Sequence, residues 1–178
     1  MMVTLSRVVV ALSLAGGLGT AGPLAAQAAG QEPVRRLLDG LRGASPVQCE
    51  LALRSLDFWS GWNHPIPDRD SEAGLVVAWV DRTHKDPAVV APLAAALKDP
   101  DGCVRRLAVR LLGRVRLPAA RARLLEALRD TEPETRRLGA IGLGFSNDRT
   151  AVPQLVRALQ DRDPRVRAAA AWAIGAVH

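Results

Sequence analysis

The sequence predicts an all-α solenoid, a stack of helical hairpins that share one apolar seam, and three observations predict it. An eighteen-residue segment recurs as ALKDPDGCVRRLAVRLLG from Ala96, ALRDTEPETRRLGAIGLG from Ala127 and ALQDRDPRVRAAAAWAIG from Ala158, a step of 31 residues each time. A fixed period in this range marks stacked supersecondary units. Within each copy the apolar residues fall at helical spacing, as in Val166, Ala169, Ala170, Ala173 and Ile174. The copies are punctuated alike: Glu132-Pro133 and Asp163-Pro164 open second helices, and Gly113, Gly144 and Gly175 stand where those helices should stop. Neither helix of such a pair can bury its stripe alone, so neighbouring units must stack.

Taken in order, residues 1–28 read as a secretory signal, with Arg7, an apolar run from Val8 to Leu18, and Ala26-Gln27-Ala28 as a small-x-small processing site. The run is short and Gly-rich for a membrane span. An uncleaved anchor is the alternative; either way the rest of the chain would be secreted or periplasmic, in a bacterial envelope, with no stable membrane span left after cleavage. Residues 29–57 form a degenerate N-terminal unit acting as a cap. Val34, Leu37, Leu38 and Leu41 mark its first helix, Ser45-Pro46 its turn, and Cys49 to Leu56 its second helix, with Leu51, Ala52 and Leu56 on one side. Residues 58–85 break the period; FWSGWNHPIPDRDSE is rich in turn formers and precedes a helix over Ala73 to Arg82. This insert is either a long loop or a unit that has lost its first helix.

Three repeats follow, at about 86–117, 118–148 and 149–178. Asp86-Pro87 starts a helix with Val90, Leu93 and Leu97; Gly102 precedes Val104, Leu107, Leu111 and Leu112. The middle repeat carries Leu124, Leu125 and Leu128, then Leu138, Ile141 and Leu143. In the last, Thr150 is the expected cap of a helix carrying Leu155, Val156 and Leu159, with Pro153 in its opening turn. No polar closing unit follows, so the last pair is expected to expose part of its stacking face.

The copies resemble HEAT repeats of the short bacterial type first noted in phycobilisome lyase subunits. The resemblance rests on Leu97, Asp99, Val104, Arg105, Ala108, Leu112 and Gly113, on Leu128, Asp130, Arg136, Leu143 and Gly144, and on Leu159, Asp161, Pro164, Val166, Arg167, Ala170, Ile174 and Gly175. Thr135 and Gly139 depart from the pattern. The resemblance implies a right-handed α-α solenoid of HEAT-like helical hairpins, a scaffold rather than a lyase, with its second helices lining the concave side. It further implies a structural ladder of Asp99/Arg105, Asp130/Arg136 and Asp161/Arg167, each Asp capping a helix start and facing an Arg of the adjacent unit.

The net charge of +6 is concentrated in the repeats: from Lys98 to His178, 15 Arg and one Lys stand against nine acidic residues. Such a surface suits an acidic partner, or is simply a solvated exterior. Arg106 and Arg110 share a helix face, and Arg137 follows Arg106 one unit later, so these are the candidate partner-binding residues, joined by loop aromatics Trp59 and Trp62. Phe58, Trp59 and Trp62 otherwise close the end of a core, and Trp79 and Trp172, in helical stripes, read as core. Cys49 and Cys103 each fall near the start of a second helix; a bridge is conceivable if their units are neighbours, and two buried thiols are the alternative.

His64, Asp68, Asp70, Glu72 and His84 are the nearest thing to a ligand cluster, but Trp79 stands where a calcium loop needs its bidentate Glu. Ser45, Ser55, Ser60, Ser71 and Ser146 lie in no nucleophile elbow. No catalytic, cofactor or metal residue is expected. The reading is an exported, non-catalytic scaffold binding a protein partner, with basic repeats that suit an acidic one. Its alternatives are nucleic-acid binding through the basic half, an accessory subunit of an envelope enzyme, and a glycan binder using Trp59 and Trp62. Oligomeric state is left open.

Overall fold

The structure, a computed structural model, describes residues 23–58 and 85–177, and every described element is helical. Helices α1 (Pro23–Gly40) and α2 (Pro46–Phe58) form the N-terminal unit. Helix α1 begins ahead of the expected processing point at Ala28. The three repeats are α3 (Val90–Ala96) with α4 (Gly102–Arg114), α5 (Pro118–Ala127) with α6 (Pro133–Ser146), and α7 (Val152–Ala158) with α8 (Pro164–Ala176). Single 3₁₀ turns, Pro87–Val89 and Arg149–Ala151, lead into α3 and α7.

Short polar side chains start these helices by accepting otherwise orphaned backbone N–H bonds. Asp101 accepts from Cys103 N at 2.7 Å and Val104 N at 3.2 Å, and Asp163 from Arg165 N at 2.8 Å. Ser45 and Gln48 form a reciprocal capping box: Ser45 N donates to Gln48 Oε1 at 2.9 Å and Gln48 N to Ser45 Oγ at 3.3 Å. The cap ahead of α7 is Asp148, not Thr150; its carboxylate accepts from Thr150 N and Oγ1 at 2.9 and 2.6 Å. A carboxylate beside the threonine outcompetes its hydroxyl as acceptor and turns it into a donor.

Buried leucines and valines, among them Val34, Leu53, Leu93, Leu107, Leu124, Leu138 and Leu155, run as one core from α1 to α8. Each fully buried side chain of this size stabilises by about 1.5–3 kcal/mol relative to exposure. Second helices form the tighter layer, α4 against α6 and α6 against α8, while α2 packs on α4.

That tightness explains the repeated glycine, which is not a helix terminator. Each second helix runs past it, to Arg114, Ser146 and Ala176. A Cβ on Gly113 would sit 2.6 Å from the Gly142 carbonyl oxygen, and one on Gly144 would sit 2.6 Å from the Trp172 ring and 3.0 Å from Ala173 Cα. The glycine is a contact surface for the next unit. Gly139, the departure from the pattern, has a similar reason: a Cβ there would meet the backbone of Ala127 and Leu128 at 2.9 Å, where α5 leans on α6. Chain reversal after α6 is left instead to Asn147, at φ 49°.

Three apolar residues lie further out than their stripes suggest. Trp172 is 47% exposed, Val156 50% and Leu51 62%. The buried stripe of α8 is Val166, Ala169, Ala170 and Ala173, and residue 172 lies one position off it; likewise α2 turns Cys49 and Leu53 inward rather than Leu51.

Candidate functional site

The second helices present a groove of about 660 Å³ whose walls combine Arg106, Arg110, Arg137 and Arg165 with Val109, Ile141, Phe145 and Trp172. Helical spacing aligns them: Arg106 and Arg110 lie four apart on α4, while Arg137, Ile141 and Phe145 occupy successive turns of α6. Trp172 meets Phe145 edge-on, with ring centroids 5.2 Å apart at 67°. The guanidinium of Arg110 lies 5.7 Å from the centre of the same ring, as does that of Arg114.

Among the described residues that line the groove, Glu134 is the one carboxylate. Arg137 grips it in a two-point pair, Nε to Oε2 at 2.9 Å and Nη2 to Oε1 at 2.7 Å. The hydrogen bond from Arg137 holds the Glu134 carboxyl below its ordinary range, with Arg105 and Arg165 adding positive field. Arg165 is likewise paired with Asp163 at 3.0 Å, so the groove sets arginine–carboxylate pairs, and Arg110 over Phe145, beside the half-exposed Trp172.

Two candidate arginines also hold the N-terminal unit in place. Arg106 Nη2 donates to Glu50 Oε2 at 2.9 Å and Arg110 Nη1 to the Leu53 carbonyl at 3.0 Å. Cys49 and Cys103 form a disulfide on the same seam, with Cα atoms 5.7 Å apart. Residues 49, 50 and 53 of α2 thus meet 103, 106 and 110 of α4. Of the remaining candidates, Trp59 and Trp62 lie outside the described residues, as do Trp79, His64, Asp68, Asp70, Glu72 and His84. Among the described residues no cluster of His, Cys, Asp and Glu is arranged to hold a metal ion, and no helix is long and apolar enough to cross a membrane. Ser45 caps α2, and Ser146 Oγ donates to the Leu143 carbonyl at 2.7 Å.

The ladder takes a mixed form. Each aspartate accepts the N–H two residues on: Asp99 from Asp101, Asp130 from Glu132, and Asp161 from Asp163, at 2.9–3.0 Å. Each paired arginine turns Nη1 back on its own turn, Arg105 to the carbonyl of Asp99, Arg136 to that of Asp130, and Arg167 to that of Asp161. Only Arg136 also spans units, Nε to Asp161 Oδ2 at 2.7 Å and Nη2 to Oδ1 at 2.9 Å. The other rungs differ from expectation: Asp130 meets Lys98 at 2.6 Å and Asp99 meets Arg42 at 2.8 Å. With Lys98 already on Asp130, Arg105 stays on its own turn and its Nε is buried without a partner. The cations Arg42 and Lys98, each directly after a buried or half-buried leucine, were not signalled by the six-residue spacing.

Comparison with known proteins agrees with this arrangement. HEAT repeats match residues 66–141 and 122–178, the first match starting inside the 58–85 insert. The match is to HEAT repeats as such, and nothing in it singles out the phycobilisome-lyase type. No curated protein matches the chain. With translationally stacked helical pairs and a family match over more than half its length, the chain belongs to the HEAT-repeat family.

Proposed function

We propose that this protein is an exported, non-catalytic scaffold whose second-helix groove holds a partner protein through acidic residues flanking an apolar anchor. The observation that carries the reading is the groove: four arginines, three of them paired with Glu50, Glu134 and Asp163, around the half-exposed Trp172. Aromatics and arginine are the side chains most enriched where protein interfaces concentrate their binding energy. HEAT repeats are in general scaffolds for protein interaction, which supports a binding role for this wall. Export is supported by the signal-like N-terminal segment and by the Cys49–Cys103 disulfide, a bond that persists in oxidising compartments.

The test is photo-crosslinking in an envelope extract. A photoreactive residue at Ala168, exposed in the groove wall, should trap one partner. The same group at Glu126, exposed on the first-helix side, should not. Arg137→Glu should abolish the Ala168 adduct while leaving the fold intact. Equal labelling at both sites, or an adduct indifferent to Arg137, contradicts the reading. Retention of the protein in the cytoplasm contradicts export alone.

A further inference from the structure

The interface between the first and second repeats departs from the repeat pattern in two ways, and the two departures meet in one place. The first is a residue type. Val104 of the first repeat and Val166 of the third are both 0% exposed, and the position midway between them in the register is Thr135. Thr135 is 6% exposed, and its hydroxyl makes no hydrogen bond to any described residue. Threonine is no substitute for valine in a core, because a buried hydroxyl gives up water and needs a partner in return. The second departure is one of volume. Ala94 and Ala95 of α3 stand where α5 carries Leu125 and Glu126. A pocket of about 450 Å³ lies beside these alanines, between α3 and α5, with Thr135 of α6 in its wall.

The rest of the wall says what fits. Ala91, Ala94, Ala95 and Ala127 make much of it apolar. Its charged groups cancel in pairs: Lys98 lies 2.6 Å from Asp130, and Arg123 lies 2.8 Å from Glu126. A ligand with net charge would find no unpaired opposite charge there and would have to give up its water. Small-molecule sites have volumes of roughly 300–1,000 Å³ and combine apolar walls with a few placed polar groups. Here the Thr135 hydroxyl is the polar group left to bond. A hydroxyl without an acceptor is best met by a strong neutral one, the oxygen of an amide.

We propose that this pocket binds a small uncharged aliphatic amide, whose oxygen accepts from the Thr135 hydroxyl and whose alkyl body lies along the alanine wall. The pocket shares no lining residue with the groove, so it stands or falls independently of the crosslinking result. Held between α3 and α5, the ligand ties the first repeat to the second and stabilises the folded chain by mass action.

The probe is hexanamide, titrated into the full chain at millimolar concentrations and followed by amide NMR. The backbone amides of Ala94, Ala127 and Thr135 should shift saturably, while those of Arg106 and Arg137 stay in place. Thr135→Val installs the residue of the other two repeats. It should weaken binding about tenfold and leave the thermal midpoint of the unliganded chain unchanged or raised. Thr135→Ser keeps a hydroxyl and should still bind. Hexanoate, the same chain with a charged end, should bind at least about tenfold more weakly than hexanamide. Absence of saturable shifts overturns the proposal. Undiminished binding to the Thr135→Val variant overturns the assigned role of the hydroxyl, and equal binding of hexanoate overturns the choice of an uncharged ligand. A lower midpoint for the unliganded Thr135→Val variant assigns the hydroxyl to the fold and also overturns the proposal.

Discussion

The middle and last repeats share a helical hairpin and the 31-residue spacing, yet they differ in what their faces touch. In the middle repeat Gly144, Ala140 and Arg136 are buried; in the last, Gly175, Ala171 and Arg167 are exposed. The comparison teaches that the repeated residues are specified by the neighbouring unit and not by the helix that carries them. A glycine within a helix costs up to about 1 kcal/mol against alanine, and at position 144 the close approach of α8 offsets that cost. At 175 nothing in the described structure does.

The largest expected effect contrasts both repeats with the N-terminal unit, which is held covalently. Replacing Cys49 and Cys103 by Ser removes a cross-link spanning 54 residues, a loss of about 4 kcal/mol on the chain-entropy account. Hydrogen exchange should then show α1 and α2 losing protection, while α6 and α8 keep theirs, because in a solenoid each unit depends on its neighbours.

Next, Gly144→Leu should destabilise by about 3 kcal/mol through overpacking against α8. Gly175→Leu should leave the thermal midpoint unchanged or slightly raised. Gly139→Ala belongs with the first, since the groups in its way are backbone; equal midpoints for the 139 and 175 variants would break the comparison.

Arg136→Ala comes third. It leaves Asp161, whose side chain is 14% exposed, without its two-point partner, and should cost about 2 kcal/mol. Arg167→Ala should stay within about 0.5 kcal/mol. Denaturant unfolding of the two variants side by side reads this directly.

The smallest effect is on acid stability. The hydrogen bond from Arg136 lowers the Asp161 carboxyl below its ordinary range, and that from Arg165 lowers Asp163 to about 2. Unfolded aspartates titrate near about 3.9, so below that pH the unfolded chain binds more protons than the folded one. The stabilisation is complete above about pH 4 and is lost as pH falls towards 2. Arg136→Ala should flatten this acid limb of the stability profile, and Arg167→Ala should not.

Much of the architecture was legible in the residues. The period, the hairpins and the proline-marked starts of α6 and α8 follow from local chemistry, since caps and apolar spacing act within one helix. What was not legible depends on contacts between units. Trp172 read as core because it was placed in a helical stripe, but it lies one residue off the buried stripe and faces the groove. Gly113 and Gly144 read as terminators because a glycine near a helix end ordinarily is one. Arg42 and Lys98 were missed as rungs because only the placement of one turn beside the next brings them to Asp99 and Asp130. Within the groove, Arg106, Arg110 and Arg137 could be grouped from spacing, whereas Phe145 and Trp172 meet only once α6 and α8 are stacked.

Thiol accessibility at two equivalent positions tests the stacked register most directly. With the native cysteines in their disulfide, single cysteines at Ala140 and Ala171 offer one matched pair of probes. The account requires the thiol at 171 to react with a maleimide at close to the rate of a free thiol, and the one at 140 to react at least about a hundredfold more slowly, through opening of the interface between units. Equal rates at the two positions would contradict it.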